Sequence, residues 1–309
     1  DVMATAFEES LGKPPSAVFA RIDHEPLAAA SLGQVHVAYS EAGVKYAVKV
    51  LYPGIRDVVR VDLRVVNLGL RLYRMFVPVQ NISAVYDALV DLLKRETDYV
   101  HEAQCMTRMA KNFASEPDIL FPEVIEEASS AEVLTMTFME GIKITRFDEY
   151  ERLGIDRDAV AERLVKCFYR QLFLDRFFHA DPHPGNFLVQ AGDTPQTPKI
   201  VILDFGAISE TPQHVIDGMV DVLRGIFEQN DTLVLSGIET LGFVAPDGDR
   251  QLLEQTVKTY FAKLLKIKDI TAGALMRANA KELEALANPE VARRELRALM
   301  KSVRYPDDW

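Results

Sequence analysis

Three polar side chains have the types and the spacing that phosphoryl transfer needs. Asp181 and Asn186 lie five positions apart on a loop punctuated by proline and glycine, and Asp204 follows an apolar run over residues 200–203. A carboxylate can orient an attacking hydroxyl, while an amide oxygen and a second carboxylate can hold Mg²⁺ against phosphates. The sequence therefore predicts phosphoryl transfer or ATP hydrolysis, with Asp181 as catalytic carboxylate and Asn186 and Asp204 as metal ligands.

A lysine in an apolar run, and a small-residue loop before it, predict a phosphate site. Lys49 ends the Ala-Val-Lys sequence of residues 47–49, and residues 28–35 follow the pattern Ala-x-Ala-x-x-Gly-x-Val. This is the spacing of a glycine-rich loop, whose backbone N–H groups approach phosphates closely. Alanine at two glycine positions predicts a stiffer loop. Alone, each pattern is more often a solvent-facing lysine or a plain turn, but together they predict an ATP site.

The predicted nucleotide-binding residues lie on this loop, on the lysine strand and near the end of a later strand. They are Ala28, Ala29, Ala30, Ser31, Gly33, Val35, Ala47, Lys49, Met136, Phe138 and Met139. Lys49 is also a predicted catalytic residue and should pair with a carboxylate on a helix. Glu96 and Glu102 both lie at a suitable distance downstream, and spacing alone does not choose between them.

The catalytic stretch admits a second interpretation as a metal-hydrolase site. His179, Asp181 and His183 form a His-x-Asp-x-His pattern that could ligate a transition metal. His214 is the only later histidine, and it has no obvious ligand spacing. We therefore favour phosphoryl transfer.

Composition limits the classes of protein that the chain can represent. Its 309 residues suffice for one two-lobed domain or two ordinary domains, and its formal charge of -11 argues against a nucleic-acid binder. No apolar run approaches the ~18 residues of a spanning helix, and no signal peptide is visible. Cys105 and Cys167 predict free thiols in a reducing compartment. We expect a cytoplasmic or organellar-matrix protein that can associate peripherally with a membrane.

Periodicity predicts an α+β chain with mixed elements first and a mostly helical second half. The predicted strands cover residues 26–37, 46–51, 121–125 and 132–138, and the predicted helices cover residues 56–76, 83–113, 158–178, 215–228, 252–266 and 290–303. A turn at Glu140-Gly141 marks the predicted boundary, so that residues 1–138 form an N-lobe and residues 139–309 a helical C-lobe.

The segment after Asp204-Phe205-Gly206 is short. Only residues 207–212 precede the next predicted helix, and no Ala-Pro-Glu motif follows. The activation segment of a protein kinase, which forms a peptide-binding shelf, has no room here. His183 also stands where many protein kinases place a lysine. We infer a small-molecule or lipid acceptor, or ATP hydrolysis without phosphorylation of a protein.

Taken together, these motifs resemble the UbiB/ABC1/ADCK atypical kinases. The likeness extends from about Ala17 to Ser209, and it rests on residues 28–31, 96–98, 102–103, 179–186 and 204–206. It implies a protein-kinase-like two-lobed fold, Mg²⁺-dependent ATP binding and ATPase activity. It also implies support of ubiquinone or other prenyl-lipid metabolism at a membrane surface, in a complex with lipid-biosynthesis enzymes.

The resemblance also implies roles for three carboxylates. Glu102 would pair with Lys49, and Glu96 and Asp98 would form the Glu-x-Asp pair of the family near the nucleotide. One departure concerns the Lys-x-Gly-Gln motif, which the family usually carries in an N-terminal extension and which this sequence lacks. Its absence indicates either a shortened chain or a member without that element.

Arginines recur along one face of the predicted helix over residues 56–76. They are Arg60, Arg64, Arg71 and Arg74. Such a face could meet anionic headgroups, each arginine contributing ~1 kcal/mol near the surface. The commoner alternative is a solvated face whose apolar side packs in the core, and charge reversal with vesicle co-sedimentation distinguishes the two.

Two other functions fit the same motifs. A small-molecule phosphotransferase of the aminoglycoside or choline kinase type shares a similar catalytic loop and would phosphorylate a small alcohol. A non-catalytic, nucleotide-dependent scaffold for lipid enzymes would bind ATP without turning it over. The Ala-rich loop and the Glu-x-Asp motif favour the atypical kinase.

Overall fold

The computed structural model of the chain describes residues 2–30, 32–76 and 82–242, with the backbone only for 74–76 and 82–85. The strands are β1 (Arg21–Ile22), β2 (Ala28–Ala29), β3 (Gly33–Tyr39), β4 (Lys45–Leu51), β5 (Ile119–Leu120), β6 (Val133–Thr137), β7 (Ile142–Lys143), β8 (Phe177–His179), β9 (Phe187–Gln190), β10 (Lys199–Ile202) and β11 (Ile208–Glu210). The helices are α1 (Val2–Leu11), α2 (Ile55–Phe76), α3 (Ile82–Glu96), α4 (Tyr99–Asn112), α5 (Phe147–Leu153), α6 (Arg157–Tyr169), α7 (Gln213–Phe227) and α8 (Asp231–Thr240). The α+β prediction is confirmed, whereas the helices predicted over 252–266 and 290–303 lie outside the described residues.

An antiparallel sheet carries most of the predicted nucleotide residues. Its order is β1-β3-β4-β6, and β2 pairs with β3 to form the predicted strand-turn-strand unit. Lys49 lies opposite both Val35 and Leu134, and Ala47 lies opposite Met136. Because directly paired residues share a face and alternate residues return to it, all five side chains lie on one face of the sheet.

The two faces of this sheet belong to two different hydrophobic clusters. One face contributes Leu51, Leu134 and Met136 to a cluster that also contains α4 and β10 side chains. The other face contributes Val48 and Val50 to a cluster with α1. The β4 residues from Val48 to Leu51 are all buried, so β4 reads as an apolar run rather than as an alternating strand.

A hairpin and a short ribbon position the catalytic stretch. β9 and β10 pair antiparallel with Phe187 opposite Ile202, so Asn186 precedes one strand at the end where Asp204 follows the other. The Leu203 N–H donates to the Asn186 carbonyl oxygen at 3.0 Å, which fixes that end. β8 and β11 pair antiparallel with His179 opposite Ile208. Residues on both sides of the catalytic loop are therefore held by strands.

The single helix predicted over residues 83–113 is wrong, because the chain breaks between α3 and α4. Asp98 has extended backbone angles, and its carboxylate accepts the N–H groups of Val100 and His101. This is an N-cap, which starts a new helix and satisfies N–H groups that lack helical partners. The Thr97 carbonyl oxygen instead accepts two bonds from Arg56, at 2.6 and 3.0 Å.

Two further element predictions need correction. The helix predicted over residues 158–178 ends earlier: α6 passes into a π-helical turn, Arg170–Asp175, and Arg176 with φ 52° closes it before β8. The strand predicted over residues 121–125 is reduced to one isolated bridge, between Val124 and Met136. Pro122 lacks the N–H that a ladder needs, so regular pairing stops at β5.

The chain divides into two compact units, residues 1–210 and residues 211–309. In the second unit, α7 and α8 pack closely through glycines. A Cβ atom added at Gly218 would lie 2.8 Å from the Gly237 carbonyl oxygen, and one at Gly237 would lie 2.7 Å from the Gly218 carbonyl oxygen. The lobe boundary placed between Phe138 and Met139 stays a prediction.

Gly33 provides a test of the β3–β4 packing. A Cβ atom at this position would lie 2.1 Å from the Val50 carbonyl oxygen, so the backbone would have to shift. We expect Gly33→Ala to lower the free energy of unfolding in urea by about 1–3 kcal/mol. Gly69→Ala on α2 is the control, since no atom of the residues that the structure describes lies within 4 Å of its added Cβ. It should raise stability by up to about 1 kcal/mol, and equal effects of the two substitutions would contradict the packing argument.

Candidate active site

The buried Lys49 ammonium contacts two carboxylates, of which Glu102 is buried and Asp204 is partly exposed. Its Nζ donates to Glu102 Oε1 at 2.5 Å and to Asp204 Oδ2 at 3.0 Å. Lys49 is 6% exposed and Glu102 is 2% exposed. The structure thus brings β4, α4 and the end of the β9–β10 hairpin together at one ammonium group. Of the two glutamates that spacing left open, Glu102 is the partner of Lys49.

Lys49 and Asp204 stabilise each other's charged form, whereas burial raises the pKa of the Glu102 carboxyl above its ordinary value. Burial disfavours the charged form of Lys49, but the Glu102 and Asp204 carboxylates outweigh it and raise the pKa of the ammonium. Burial likewise works against an ionised Asp204, yet Lys49 holds the pKa of that carboxyl below its ordinary value. Lys49 and Asp204 are therefore both charged at neutral pH, in the states that phosphate and metal binding require.

Glu102 also reaches the backbone of the Asp204-Phe205-Gly206 motif. Its Oε1 accepts the Phe205 N–H at 3.3 Å, while the Phe205 ring is fully buried in the main core cluster. Asp98 sets where α4 begins, four residues before Glu102. A single buried carboxylate therefore joins the lysine strand to the backbone next to Asp204.

Glu96 and Asp98 have different surroundings. Glu96 Oε1 and Asp204 Oδ1 each lie 3.5 Å from the point that a Cβ on Gly206 would occupy, so both carboxylates face this glycine. The Asp98 carboxylate accepts the Val100 N–H at 3.1 Å as the α4 cap. Glu96 thus lies beside the candidate metal ligand, whereas Asp98 positions the helix of Glu102.

Asp181 opens a tightly bonded loop and is exposed. Its carbonyl oxygen accepts the His183 N–H at 2.8 Å and the Asn186 Nδ2–H at 3.3 Å. Because the Asn186 amide nitrogen is directed to the loop, its Oδ1 is the atom left to face a cation. The Asp181 carboxylate remains available for a hydroxyl or a water molecule.

The two histidines of the alternative metal-hydrolase pattern act as local hydrogen-bond acceptors. His179 Nδ1 accepts the Asp181 N–H at 3.3 Å, and His183 Nδ1 accepts the Gly185 N–H at 3.0 Å. Across the described ranges, no three His, Cys, Asp or Glu side chains are grouped as a metal site. The geometry gives the metal-hydrolase alternative no support.

The residues around Asp204 fit a magnesium ion. Asn186 and Asp204 would supply an amide oxygen and a carboxylate oxygen, the donors that Mg²⁺ prefers. Glu96 and Asp204 face Gly206 together, and Lys49 compensates only part of the negative charge of Asp204 and Glu102. A divalent cation would complete that compensation.

The remaining predicted nucleotide residues lie on β2, at the turn from β2 to β3 and directly after β6. Ala28 pairs with Val35 and Ala29 with Gln34, and the Ala30 N–H donates to the Gly33 carbonyl oxygen at 3.0 Å. Ser31 lies outside the described residues. Phe138 and Met139 follow β6, and the Phe138 N–H donates to the Lys45 carbonyl oxygen. The Lys45 ammonium lies 5.2 Å from the Phe138 ring centroid.

Sequence reasoning missed two residues that organise the site. The Tyr99 ring is buried with its centroid 5.6 Å from Lys49 Nζ, and Arg56 donates to the Ala131 carbonyl oxygen as well as to Thr97. An aromatic residue directly after an aspartate N-cap could have indicated the start of α4. No local signal in the sequence indicates the Arg56 contacts, because both acceptors are backbone atoms distant in sequence.

Comparison with known proteins agrees with this geometry. Residues 1–236 match the family described as the ABC1 atypical kinase-like domain. The chain belongs to this family. It is 32% identical over 81% of its length to "Protein ACTIVITY OF BC1 COMPLEX KINASE 8, chloroplastic" of Arabidopsis thaliana. It is also 32% identical over 86% of its length to "Probable protein kinase UbiB" of Marinobacter nauticus.

The chain spans 33% of the length of the first relative and 49% of that of the second. A solved structure of Rv3197 from Mycobacterium tuberculosis, a complex with erythromycin, is 26% identical with a TM-score of 0.61. The match covers 80% of this chain and 61% of that one. The fold is thus protein-kinase-like α+β, and the family gives the chain a kinase-type character.

The buried His179 gives the fold a predicted pH dependence. Burial lowers the pKa of its imidazole below the ordinary value of 6.5, and its Nε2 has no hydrogen-bond partner within the described part of the chain. A lowered folded-state pKa contributes stability that is present above the unfolded-state pKa and is lost as the pH falls below about 6.5. The loss cannot exceed about 1.4 kcal/mol per pH unit.

Urea unfolding at pH 7.5 and at pH 5.5 would measure this loss. His179→Asn keeps an acceptor near the Nδ1 position and removes the titrating group, so its stability should depend less on pH. His183→Asn, at an exposed histidine, is the control and should keep the wild-type slope. Parallel slopes for wild type and His179→Asn would show that another group carries the pH dependence.

Proposed function

We propose that the chain binds Mg-ATP and acts as an atypical kinase or ATPase. The observation that supports it best is that the buried Lys49 ammonium contacts both Glu102 and Asp204. It supports an ordered catalytic site, because a kinase strand lysine must be held by a helix carboxylate while the Asp-Phe-Gly aspartate lies within reach. The Rv3197 and UbiB likenesses support the same conclusion at the level of fold and family.

Each polar group has a role in this proposal. The Lys49 ammonium would contact the α- and β-phosphates, and Asp181 would orient the attacking hydroxyl or water. Asn186 and Asp204 would hold Mg²⁺, which when bound neutralises charge on the phosphates. Val35, Ala47 and Met136, on the sheet face that carries Lys49, would enclose the base and ribose.

The acceptor in this proposal is a small molecule, a lipid or water. In the structure, most of the segment after Gly206 forms β11, which pairs with β8. The next helix, α7, begins at Gln213. Such a short segment leaves little chain with which to build a peptide-binding shelf.

We propose that this activity supports ubiquinone or other prenyl-lipid metabolism, together with lipid-biosynthesis enzymes, in a cytoplasmic or organellar compartment. The support is membership of the ABC1 family and likeness to a UbiB protein. Within residues 2–30, 32–76 and 82–242, no helix combines the length and the apolar character that crossing a membrane requires. The proposal includes a peripheral contact of the described part of the chain with a membrane surface.

ATP turnover with Mg²⁺ tests the reaction. Asp204→Asn should lower turnover by on the order of a hundredfold, because it removes a charged metal ligand next to Lys49. Asp193→Asn, on the exposed loop between β9 and β10, is the matched control and should retain wild-type turnover.

Three outcomes separate the candidate functions. Nucleotide binding without turnover in the wild type would favour the non-catalytic scaffold. Transfer of phosphate to a small alcohol would favour a small-molecule phosphotransferase of the aminoglycoside or choline kinase type. Absence of nucleotide binding would overturn the proposed site altogether.

The outer side of α2 supports the membrane contact. Five apolar side chains recur there at alternating spacings of three and four residues, and each is between 53% and 65% exposed: Val58, Val61, Val65, Leu68 and Leu72. α2 contains five arginines and only two aspartates, in a chain whose formal charge is -11. An apolar stripe with a basic flank is typical of helices that lie in the interface of an anionic membrane.

The alternative expectation for this helix is a solvated arginine face with the apolar side packed in the core. The exposed stripe instead leaves one apolar side of α2 uncovered by the described residues. Arg60, Arg64 and Arg71 are exposed too, while the side chain of Arg74 lies outside the described residues. We take an anionic lipid surface as the occupant, because the charge of α2 is opposite to that of such a surface.

Co-sedimentation with phosphatidylcholine vesicles, with and without phosphatidylglycerol, measures this contact. The double substitutions Arg64→Glu with Arg71→Glu, and Val65→Gln with Leu68→Gln, should each weaken binding to the anionic vesicles roughly tenfold or more. Val165→Gln, at an exposed valine on α6, is the control. Unchanged binding in both double variants would overturn the proposal. If the wild type is a dimer and the Val65→Gln, Leu68→Gln variant is a monomer, a second copy of the chain covers the stripe instead.

A further inference from the structure

Gln171 is a buried polar residue that the proposed reaction does not use. It is completely buried, and it lies on the π-helical turn that continues α6 towards the catalytic loop. A glutamine amide has an acceptor oxygen and two N–H donors, and burial of such a group is unfavourable unless it is hydrogen-bonded. Its contacts therefore indicate what the residue does. Single-turn π-helical segments are frequent at functional sites.

The Gln171 amide joins α6 to β8. Its Oε1 accepts the His179 N–H at 2.9 Å, and its Nε2 donates to Cys167 Sγ at 3.1 Å. The orientation of the amide is fixed, because a backbone N–H can donate only to the oxygen. Cys167 is buried four residues earlier, on the same face of the helix.

His179 needs this acceptor because of its place in a two-stranded ribbon. Within the described residues β8 pairs with β11 alone, and the next residue, Ala180, donates its N–H to the Ala207 carbonyl oxygen. The His179 N–H points to the interior, where the Gln171 amide oxygen supplies the acceptor that a third strand would otherwise provide. A buried N–H without an acceptor would be strongly unfavourable.

The same histidine contacts the candidate catalytic carboxylate residue. His179 Nδ1 accepts the Asp181 N–H at 3.3 Å, so one sequence of hydrogen bonds runs from Cys167 through Gln171 and His179 to Asp181. We propose that Gln171 is a positioning residue, which holds β8 against α6 and thereby sets the location of the Asp181 carboxylate. This inference rests on the proposed ATP-dependent activity for its rate consequence, but not for its structural consequence.

Position matters because small displacements of a catalytic group are costly. A misplacement of about 1 Å can lower a rate on the order of a hundredfold. The residues proposed to contact the nucleotide lie on β3, β4 and β6 instead, whereas the hydrogen bonds of Gln171 go to Cys167 and His179. A positioning role therefore predicts a loss in kcat with little change in KM for ATP, whereas general destabilisation would change both together with the unfolding midpoint.

Two readouts on Gln171→Met test the proposal. Methionine keeps the length and the volume but has no amide oxygen, so kcat for ATP should fall roughly tenfold or more, with KM within about twofold of wild type. Amide hydrogen exchange over residues 179–186 should rise relative to wild type. Gln171→Glu retains an oxygen that can accept the His179 N–H and should recover part of kcat. Gln213→Met, at an exposed glutamine on α7, is the matched control.

The results decide the matter in either direction. Wild-type kcat and wild-type exchange in a folded Gln171→Met protein would overturn the proposal. If that variant does not fold, Gln171→Asn, whose shorter side chain withdraws the oxygen, should give the same selective loss of kcat, and a wild-type kcat would overturn the proposal. If the wild type has no turnover, the proposed function fails, while the exchange measurement still tests Gln171.

Discussion

The structure depends on one buried ammonium group shared by two carboxylates. Lys49 and Glu102 are almost completely removed from water, so loss of the Lys49 charge would leave the Glu102 carboxylate without its cation in the interior, at a cost of roughly 3–5 kcal/mol. The contact also fixes geometry: it can form only if β4, α4 and the end of β10 meet. Apolar packing places these elements, and the charges select a single arrangement of them.

The same requirement explains how the fold and the site are built together. Leu134 and Met136 on β6 and Met106 and Met109 on α4 belong to the cluster that contains Phe205. This cluster brings α4 under the sheet, and the Asp98 cap sets the residue at which α4 starts. Glu102 then reaches both Lys49 and the Phe205 N–H. The fold and the site therefore share residues.

The sequence predicted the parts of the site that are local in the chain. The Asp181–Asn186 loop, Asp204, the lysine strand and the Ala-rich turn are short motifs whose geometry follows from nearby residues. The partner of Lys49 could not be derived in this way, because it depends on which turn of α4 faces β4. The break at Asp98 and the π-helical turn were missed, since an aspartate cap and a buried glutamine look like ordinary polar positions in a periodic helix.

The β8–β11 ribbon has a consequence for control of the protein. In many protein kinases, a long activation segment reorders when it is phosphorylated, which switches the enzyme on. Here strand pairing holds the residues that directly follow Gly206 against those that precede Asp181. Because the two short strands are paired, a rearrangement of the residues after Gly206 would also move the residues before Asp181. Under the proposed function, control would then act through access of the nucleotide or the acceptor to the site rather than through reordering of this segment alone.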